Sequence, residues 1–268
     1  VSTVASVASK HSDPAVVEWS FTCLAWLFKY LSRLLTPDLR PVYDLMSIYM
    51  GKESQKPFIV RFAAESMSFL VRKAATLYER DSQALDRIIS HILEDCVASE
   101  SVKSAELHRQ GVMTLLTEAV KGIQHGIHTN GLAVVKSLVK LVRQSPSRSS
   151  IHIVIGSLTS IIHYTTPETF QPVAKVIVDE LAITEDAVTD DFASFASQII
   201  FALVSVRKAA RIEEWSGIVK LVSTLVKAGT KQPLYNAKTK SQVLSSLAVI
   251  MQSAPIESVL PALGLLDM

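Results

Sequence analysis

Two histidines and two acidic pairs are the residues whose types could bind a metal ion or transfer protons. His125 and His128 are three positions apart, a spacing that can share one helix face, but no Cys, Asp or Glu follows them at ligand spacing. Asp179-Glu180 and Asp190-Asp191 are adjacent pairs, and adjacent side chains on a helix point in different directions. We therefore predict no metal site and interpret both histidines as exposed loop residues.

The motifs that accompany common enzymatic chemistry are missing from the sequence: there is no P-loop, no GxGxxG and no GxSxG. The stretch IGSLTS, which begins at Ile155, lacks the second glycine of a nucleophile elbow and lies inside a helical pattern. Asp190-Asp191 stands at a predicted helix start, where the helix dipole favours carboxylates. We predict no catalytic residue, no cofactor and no small-molecule substrate. The alternative, an enzyme with a hidden helical active site, would require a strongly perturbed ionisable cluster in a deep pocket.

Basic residues form two rows with helical spacing. The first row, at i, i+4 and i+7, consists of Lys136, Lys140 and Arg143, and the second, at i, i+7 and i+11, consists of Lys220, Lys227 and Lys231. Such rows suit RNA phosphates or an acidic partner peptide, and the candidate contact residues are Lys136, Lys140, Arg143, Arg148, Lys220 and Lys227. The alternative interpretation is a solvated helix face, with cations favoured near helix C-termini. Aromatic residues do not alternate with these cations, so we predict no base-specific readout.

The elements that carry these rows are predicted to be α-helices, because helical periodicity runs through nearly the whole chain. About twelve helices are indicated, and the odd-numbered ones begin near positions 14, 57, 101, 149, 190 and 237. The intervals of about 41 to 48 residues lie within or close to those of HEAT and armadillo arrays. We predict an all-α fold, an α-α superhelix of the HEAT or armadillo type with about six helix pairs. Both basic rows fall on second helices of their pairs, which line the concave surface in such arrays.

Composition supports one long array and no membrane span. Hydrophobic residues make up 49% of the 268 residues and charged residues 19%, and the net charge is +2. No apolar stretch reaches the roughly 18 to 20 residues that a transmembrane helix needs, so we predict no membrane association. The two cysteines lie in apolar helical patterns, which indicates a reduced intracellular compartment. We expect residues 1–268 to form a single array, cut from a much longer solenoid.

Three segments go beyond generic helix patterning: FTCLAWLFKYLSRLL at 21–35, PDLRPVYDLM at 37–46 and KPFIVRFAAESMSFLVRK at 56–73. Together they resemble the DRIM (down-regulated in metastasis) family, very large HEAT-repeat proteins of the small-subunit processome that are associated with the U3 small nucleolar RNA. The resemblance implies a nucleolar scaffold in ribosome biogenesis that supports 18S pre-rRNA processing and early 40S assembly. It implies other processome proteins and the backbone of pre-rRNA or of the U3 RNA as partners, and no catalytic residues.

A different function remains open at this point, namely a HEAT-repeat peptide-binding module such as a nuclear transport receptor or a phosphatase scaffold. The same segments also lead us to expect a first hydrophobic core. We expect apolar residues of the first long helix to bury against the third predicted helix, with Trp26, Leu27, Tyr30 and Leu31 against Phe62, Phe69 and Leu70. Arg61 and Arg72 would then face solvent or RNA.

Overall fold

The computed structural model describes residues 1–11, 13–52, 57–76, 82–98, 105–122, 131–144, 148–206, 212, 215–231 and 235–263. Within these ranges the chain contains helices and no strand. It divides into two compact units, residues 1–124 and 125–268, which are described separately. The prediction that residues 1–268 form one array stays a prediction.

The first unit contains six α-helices and one π-helical turn in its described residues. They are α1 (Ser2–Lys10), α2 (Pro14–Leu35), α3 (Arg40–Ser47), the π-helical turn Ile48–Lys52, α4 (Pro57–Thr76), α5 (Ser82–Ala98) and α6 (Ala105–Gly122). In this unit α4 packs against both α2 and α6, while α3 packs against α5. Helices that are two positions apart in the chain are therefore neighbours in the same layer.

The second unit repeats this arrangement over its described residues. Its helices are α7 (Gly131–Gln144), α8 (Arg148–Tyr164), α9 (Pro167–Leu181), α10 (Asp190–Ser205), α11 (Trp215–Lys231), α12 (Ala237–Ser253) and α13 (Ile256–Leu263), with a short 3-10 turn, Glu185–Ala187, before α10. One layer contains α8, α10 and α12, and the other contains α7, α9, α11 and α13. This two-layer stacking of helix pairs confirms the predicted all-α helical repeat.

Several helices begin where local sequence signals predict. The Asp13 side chain accepts a hydrogen bond from the Ala15 N–H at 2.9 Å, and Thr189 accepts one from the Phe192 N–H at 3.2 Å. A capping box forms around Thr166, with a proline in the first turn of α9. Side-chain oxygens in these positions satisfy N–H groups that have no partner inside the helix. These side-chain caps account for where α2, α9 and α10 begin.

The beginning of the chain differs from the sequence expectation. Residues 2–10 form α1, whereas the predicted series of helix starts begins near position 14. Helix α3 begins at Arg40. Thr36 has helical backbone angles and its N–H bonds to the Ser32 carbonyl, so it ends α2 and does not begin α3. Asp38 instead accepts the Arg40 N–H at 3.2 Å, and its carboxylate thereby sets the later start.

The predicted core of the first unit was wrong in its choice of face on α2. Trp26 and Tyr30 are 53% and 69% exposed, and Phe62 is 42% exposed. The buried residues of α2 lie on the opposite side of the helix; the large apolar ones are Val17, Phe21, Leu24 and Phe28. Leu70 is buried as predicted. The helix carries two apolar stripes, and periodicity alone cannot decide which of them neighbouring helices cover.

A close approach between backbones fixes α6 against the π-helical turn. A Cβ atom at Gly111 would lie 2.6 Å from the Met50 carbonyl oxygen and 3.0 Å from the Met50 Cβ. Real Cβ atoms do not come so near to another backbone, so only glycine allows this packing distance. Met50 and its neighbour Tyr49 are both buried at this contact.

In the second unit α10 is the most completely buried long helix, because it lies between α8 and α12 in its own layer and also contacts α11. Its buried residues are Phe192, Ala193, Phe195, Ala196, Ser197, Ile199, Ile200, Leu203 and Val204. Despite this apolar content, none of the helices in the described residues has an apolar stretch that could cross a membrane.

Candidate functional site

The basic row on α7 is partly engaged in helix packing. Lys136 Nζ lies 3.5 Å from Glu180 Oε1, and Arg143 Nη1 donates to the Glu180 carbonyl oxygen at 2.7 Å. Glu180 is in the last turn of α9, where carbonyl groups lack helical partners and favour a cation. Two of the three predicted cations therefore join α7 to α9.

Lys140 differs from its two neighbours in the row. It lies on an exposed part of α7, and no carboxylate of the described residues pairs with it. On α11, Lys220 is likewise exposed and Lys227 is half-buried. The side chains of Arg148 and Lys231 lie outside the described residues.

Both basic rows occur in the layer formed by α7, α9 and α11, with α9 between them. Packed helices are about 8 to 10 Å apart, so the rows are separated by roughly two helix spacings, about 16 to 20 Å. The structure brings Lys136 and Arg143 together at Glu180. Helix α9 lies between the α7 row and the α11 row.

Among the described residues no three His, Cys, Asp or Glu side chains form a group that could hold a metal ion. His125 and His128 lie outside the described residues. The IGSLTS stretch is inside α8, as predicted.

The acidic pair at the start of α10 has a structural role. Asp190 Oδ1 accepts the Asn236 N–H at 3.0 Å, and the Asn236 side-chain amide donates to Asp190 Oδ2. Asn236 in turn caps α12 by accepting the Thr239 N–H at 2.9 Å. The carboxylate thus ties the beginnings of α10 and α12 together. Its negative charge also contributes, together with burial, to raising the pKa of Tyr235 to about 12, with burial the larger cause.

A groove follows the surface of the α8, α10 and α12 layer in the second unit. Its polar part has a volume of about 290 Å³ and includes His152, Asp191 and Lys238. An apolar part of about 500 Å³ adjoins it and includes Phe201 and Thr159. Ile155 and Gln198 line both parts, so the two parts are neighbours on this layer. Its lining suits an extended peptide with polar and apolar side chains.

A buried polar cluster in the first unit was missed by sequence reasoning. Tyr43 Oη donates to Asp95 Oδ2 at 2.8 Å, and His108 Nε2 lies 3.0 Å from the same oxygen. Tyr43 and His108 are 0% and 1% exposed. These residues come from α3, α5 and α6, and single residues so far apart in the sequence leave no local signal. The Asp95 carboxylate, which is 16% exposed, thus joins three helices.

The α2 segment also carries a feature that its sequence pattern could have shown. Trp19, Trp26 and Tyr30 recur at i, i+7 and i+11, so they share one helix face. All three are exposed, whereas a stripe of this composition is ordinarily read as core.

No family model matches the chain. The chain is similar to U3 small nucleolar RNA-associated protein 20 of Schizosaccharomyces pombe, with 31% identity over 172 residues, which cover 64% of the chain and 6% of that protein. The protein of the same name from Saccharomyces cerevisiae is 27% identical over 221 residues, which cover 82% of the chain and 8% of that protein. The chain thus spans less than a tenth of the length of either relative. These similarities agree with the resemblance drawn from the sequence: the chain is similar to the protein named U3 small nucleolar RNA-associated protein 20 in two yeasts.

Proposed function

We propose that the chain is a non-catalytic scaffold segment of the small-subunit processome, acting in the nucleolus in 18S pre-rRNA processing and early 40S assembly. The observation that carries the proposal is the similarity to U3 small nucleolar RNA-associated protein 20 in two yeasts. The stacked helix layers add physical support, because such layers present long surfaces to several partners without requiring a catalytic centre.

The first experiment is affinity purification of the full protein that contains this chain, scored for U3 ribonucleoprotein components. We expect these components to co-purify, and we expect a nucleolar signal that disperses when RNA polymerase I is inhibited. A protein that is diffuse in the cytosol or concentrated at the nuclear rim, and that purifies without U3 components, would contradict the proposal.

Contacts to the RNA backbone form the finer part of the proposal, and Lys140 and Lys220 are the residues that we expect to make them. Both are exposed, and no carboxylate of the described residues neutralises either one. Each lysine that contacts a phosphate steepens the slope of log affinity against log salt concentration by about 1, because about one counterion is released. Lys136 and Arg143 are less suitable for a test, because removing them would also weaken the packing of α7 against α9.

The test compares Lys140→Ala/Lys220→Ala with Lys240→Ala, an exposed lysine on α12 in the other layer of the same unit. The double variant should lower crosslinking to pre-rRNA and reduce the slope of log affinity against log salt concentration by about 2. The control should leave both unchanged. Equal crosslinking in all three proteins would remove these residues from the RNA contact and leave the scaffold role untouched.

A second candidate function is a helical peptide-binding module, and the groove along α8, α10 and α12 favours it. Phe201 is 43% exposed at the apolar part of this groove, where a partner side chain could cover it. Phe201→Glu should abolish binding of such a partner, and the chain should stay folded because the Phe201 side chain is exposed. If the variant loses one protein from the purified assembly and retains the U3 components, the groove is a peptide site within the scaffold.

A further inference from the structure

The feature with the clearest unassigned role is an exposed apolar stripe on α2, which we name the α2 aromatic face. It consists of Trp19, Trp26, Tyr30 and Leu34, whose exposed fractions are 73%, 53%, 69% and 78%. At about 100° per residue these four positions fall within about 80° of the helix circumference, and they extend over about 22 Å of its length. A single exposed apolar residue is ordinary, but a contiguous stripe of this size marks an interaction surface.

Two cations border this face, and their counterions are not supplied by neighbouring helices. Lys29 and Arg33 are exposed beside Trp26 and Tyr30, and no carboxylate of the described residues forms an ion pair with either cation. Glu18 is the acidic residue of α2, and it lies at the N-terminal end of the helix. The stripe therefore has an apolar centre and a positive edge over its C-terminal half.

The arrangement of the rings indicates what kind of partner fits. Trp26 and Tyr30 stack on each other, with ring centroids 5.6 Å apart and planes 16° from parallel. The Lys29 ammonium lies 5.3 Å from the Trp26 ring centroid and 6.0 Å from that of Tyr30. Ring faces that already carry a second ring and a cation offer less area for stacking nucleobases. Their edges and the Leu34 side chain remain available to aliphatic groups.

We propose that the α2 aromatic face is a docking surface for an amphipathic α-helix of a partner protein. The partner's apolar seam lies along the four residues, and its acidic side chains face Lys29 and Arg33. Trp, Tyr and Arg are the residues that most often dominate binding energy at protein interfaces. A helix of about four turns matches the length of the stripe. The residues of this surface belong to the first unit and are not the lysines proposed to contact RNA, and the inference does not depend on the proposed function.

The test titrates the full chain with two synthetic helical peptides that share a leucine seam, one flanked by Glu and the other by Lys. The fluorescence of exposed Trp19 and Trp26 reports binding, while Trp215 is buried in the second unit and gives a constant background. We expect the Glu-flanked peptide to bind more tightly. Trp26→Ala/Tyr30→Ala should weaken it about tenfold or more. Leu244→Ala, a 61% exposed apolar position on α12, should have no effect.

A charge reversal gives an independent result, because exposed cations can be changed without touching the core. Lys29→Glu/Arg33→Glu should reverse the preference, so that the Lys-flanked peptide binds more tightly than the Glu-flanked one. The proposal is overturned if the Glu-flanked peptide does not bind or if the Trp26→Ala/Tyr30→Ala variant binds it as the unmodified chain does. It is also overturned if oligouridylate displaces the peptide and loses its own binding in that variant, which would make the face an RNA site. Trp26-dependent dimerisation in sedimentation would assign the face to a second copy.

Discussion

Helices α2 and α10 are both rich in large apolar residues, yet the two units use them differently. In α10 nine residues are buried, and the helix lies between two others of its own layer. In α2 five residues are buried on one face, while two tryptophans, a tyrosine and a leucine are exposed on the other. Apolar content therefore identifies a core helix only when neighbours are present on both of its sides.

Side-chain size explains part of this difference. The buried set of α10 includes Ala193, Ala196 and Ser197, each 0% exposed, and small residues let neighbouring helices approach closely. The exposed large apolar residues of α2 are instead Trp19, Trp26, Tyr30 and Leu34.

The largest effect should come from removing a buried ring in α10. Phe195→Ala leaves a cavity at a fully buried position and should lower the free energy of unfolding by about 3 to 5 kcal/mol. Trp26→Ala on the exposed face of α2 should change it by less than about 0.5 kcal/mol. Urea unfolding followed by far-ultraviolet circular dichroism measures both variants. Similar losses in the two would mean that the α2 aromatic face is part of a core.

Each unit contains a buried tyrosine whose hydroxyl donates a hydrogen bond, and the two bonds can be compared by substitution. Tyr43 donates to the Asp95 carboxylate, whereas Tyr235 donates to the Leu225 carbonyl oxygen at 2.7 Å. A hydrogen bond to a charged group stabilises more than a neutral one, so Tyr43→Phe should cost about 1.5 to 3 kcal/mol and Tyr235→Phe about 1 kcal/mol. Thermal unfolding of both variants checks the order, and a reversed order would contradict the importance assigned to the Asp95 cluster.

High pH should destabilise the second unit through Tyr235. Burial, with Asp190 nearby, raises the pKa of this hydroxyl from 10.0 to about 12. The folded state therefore keeps a proton that the unfolded chain releases, so stability is intact below pH 10 and falls as the pH rises towards 12. We expect a loss of about 1 to 2 kcal/mol relative to Tyr235→Phe. Unfolding curves of both proteins across this range measure it, and parallel curves would contradict the assignment.

The smallest effect should come from low pH acting on the first unit. Asp38 accepts a hydrogen bond from the Arg40 guanidinium, and this contact lowers the pKa of its carboxyl from 3.8 to about 2. The stabilisation is present above pH 3.8 and is lost as the pH falls through about 2. Because the pair is exposed, Asp38→Asn should cost less than about 1 kcal/mol at neutral pH. The difference between the two proteins should vanish in acid, which hydrogen exchange at the start of α3 can follow.

The order and type of the paired helices could be predicted from the sequence because their signals are local. An Asp, Thr or Asn before a run of helix formers determines where α2, α10 and α12 begin, and stacked pairs follow from the spacing of those starts. The start of α3 at Arg40 depends on contacts of the Asp38 carboxylate with the Arg40 N–H and guanidinium. The buried face of α2 could not be predicted, since it depends on where α1 and α4 lie.

The candidate site was predictable only as a set of cations. The spacing of Lys136, Lys140 and Arg143 correctly places them on one helix, α7. Lys136 and Arg143 contact Glu180, whereas Lys140 does not, and this difference could not be predicted because Glu180 belongs to another helix and is distant in the sequence. Position on a helix is encoded locally, whereas the pairing of a charge depends on tertiary contacts that a helical repeat pattern does not specify.

The π-helical turn Ile48–Lys52 has a consequence for how the chain can change over evolutionary time. A π turn closes its hydrogen bonds five residues apart instead of four, so it takes up one more residue than an α turn. We expect that a one-residue deletion here can be absorbed locally, because it would convert the π turn into an α turn. Gly111, on the other side of the same contact, has the opposite character, because any side chain there would meet the Met50 carbonyl. The length of the turn at Ile48–Lys52 can therefore change, whereas position 111 on α6 has to remain glycine.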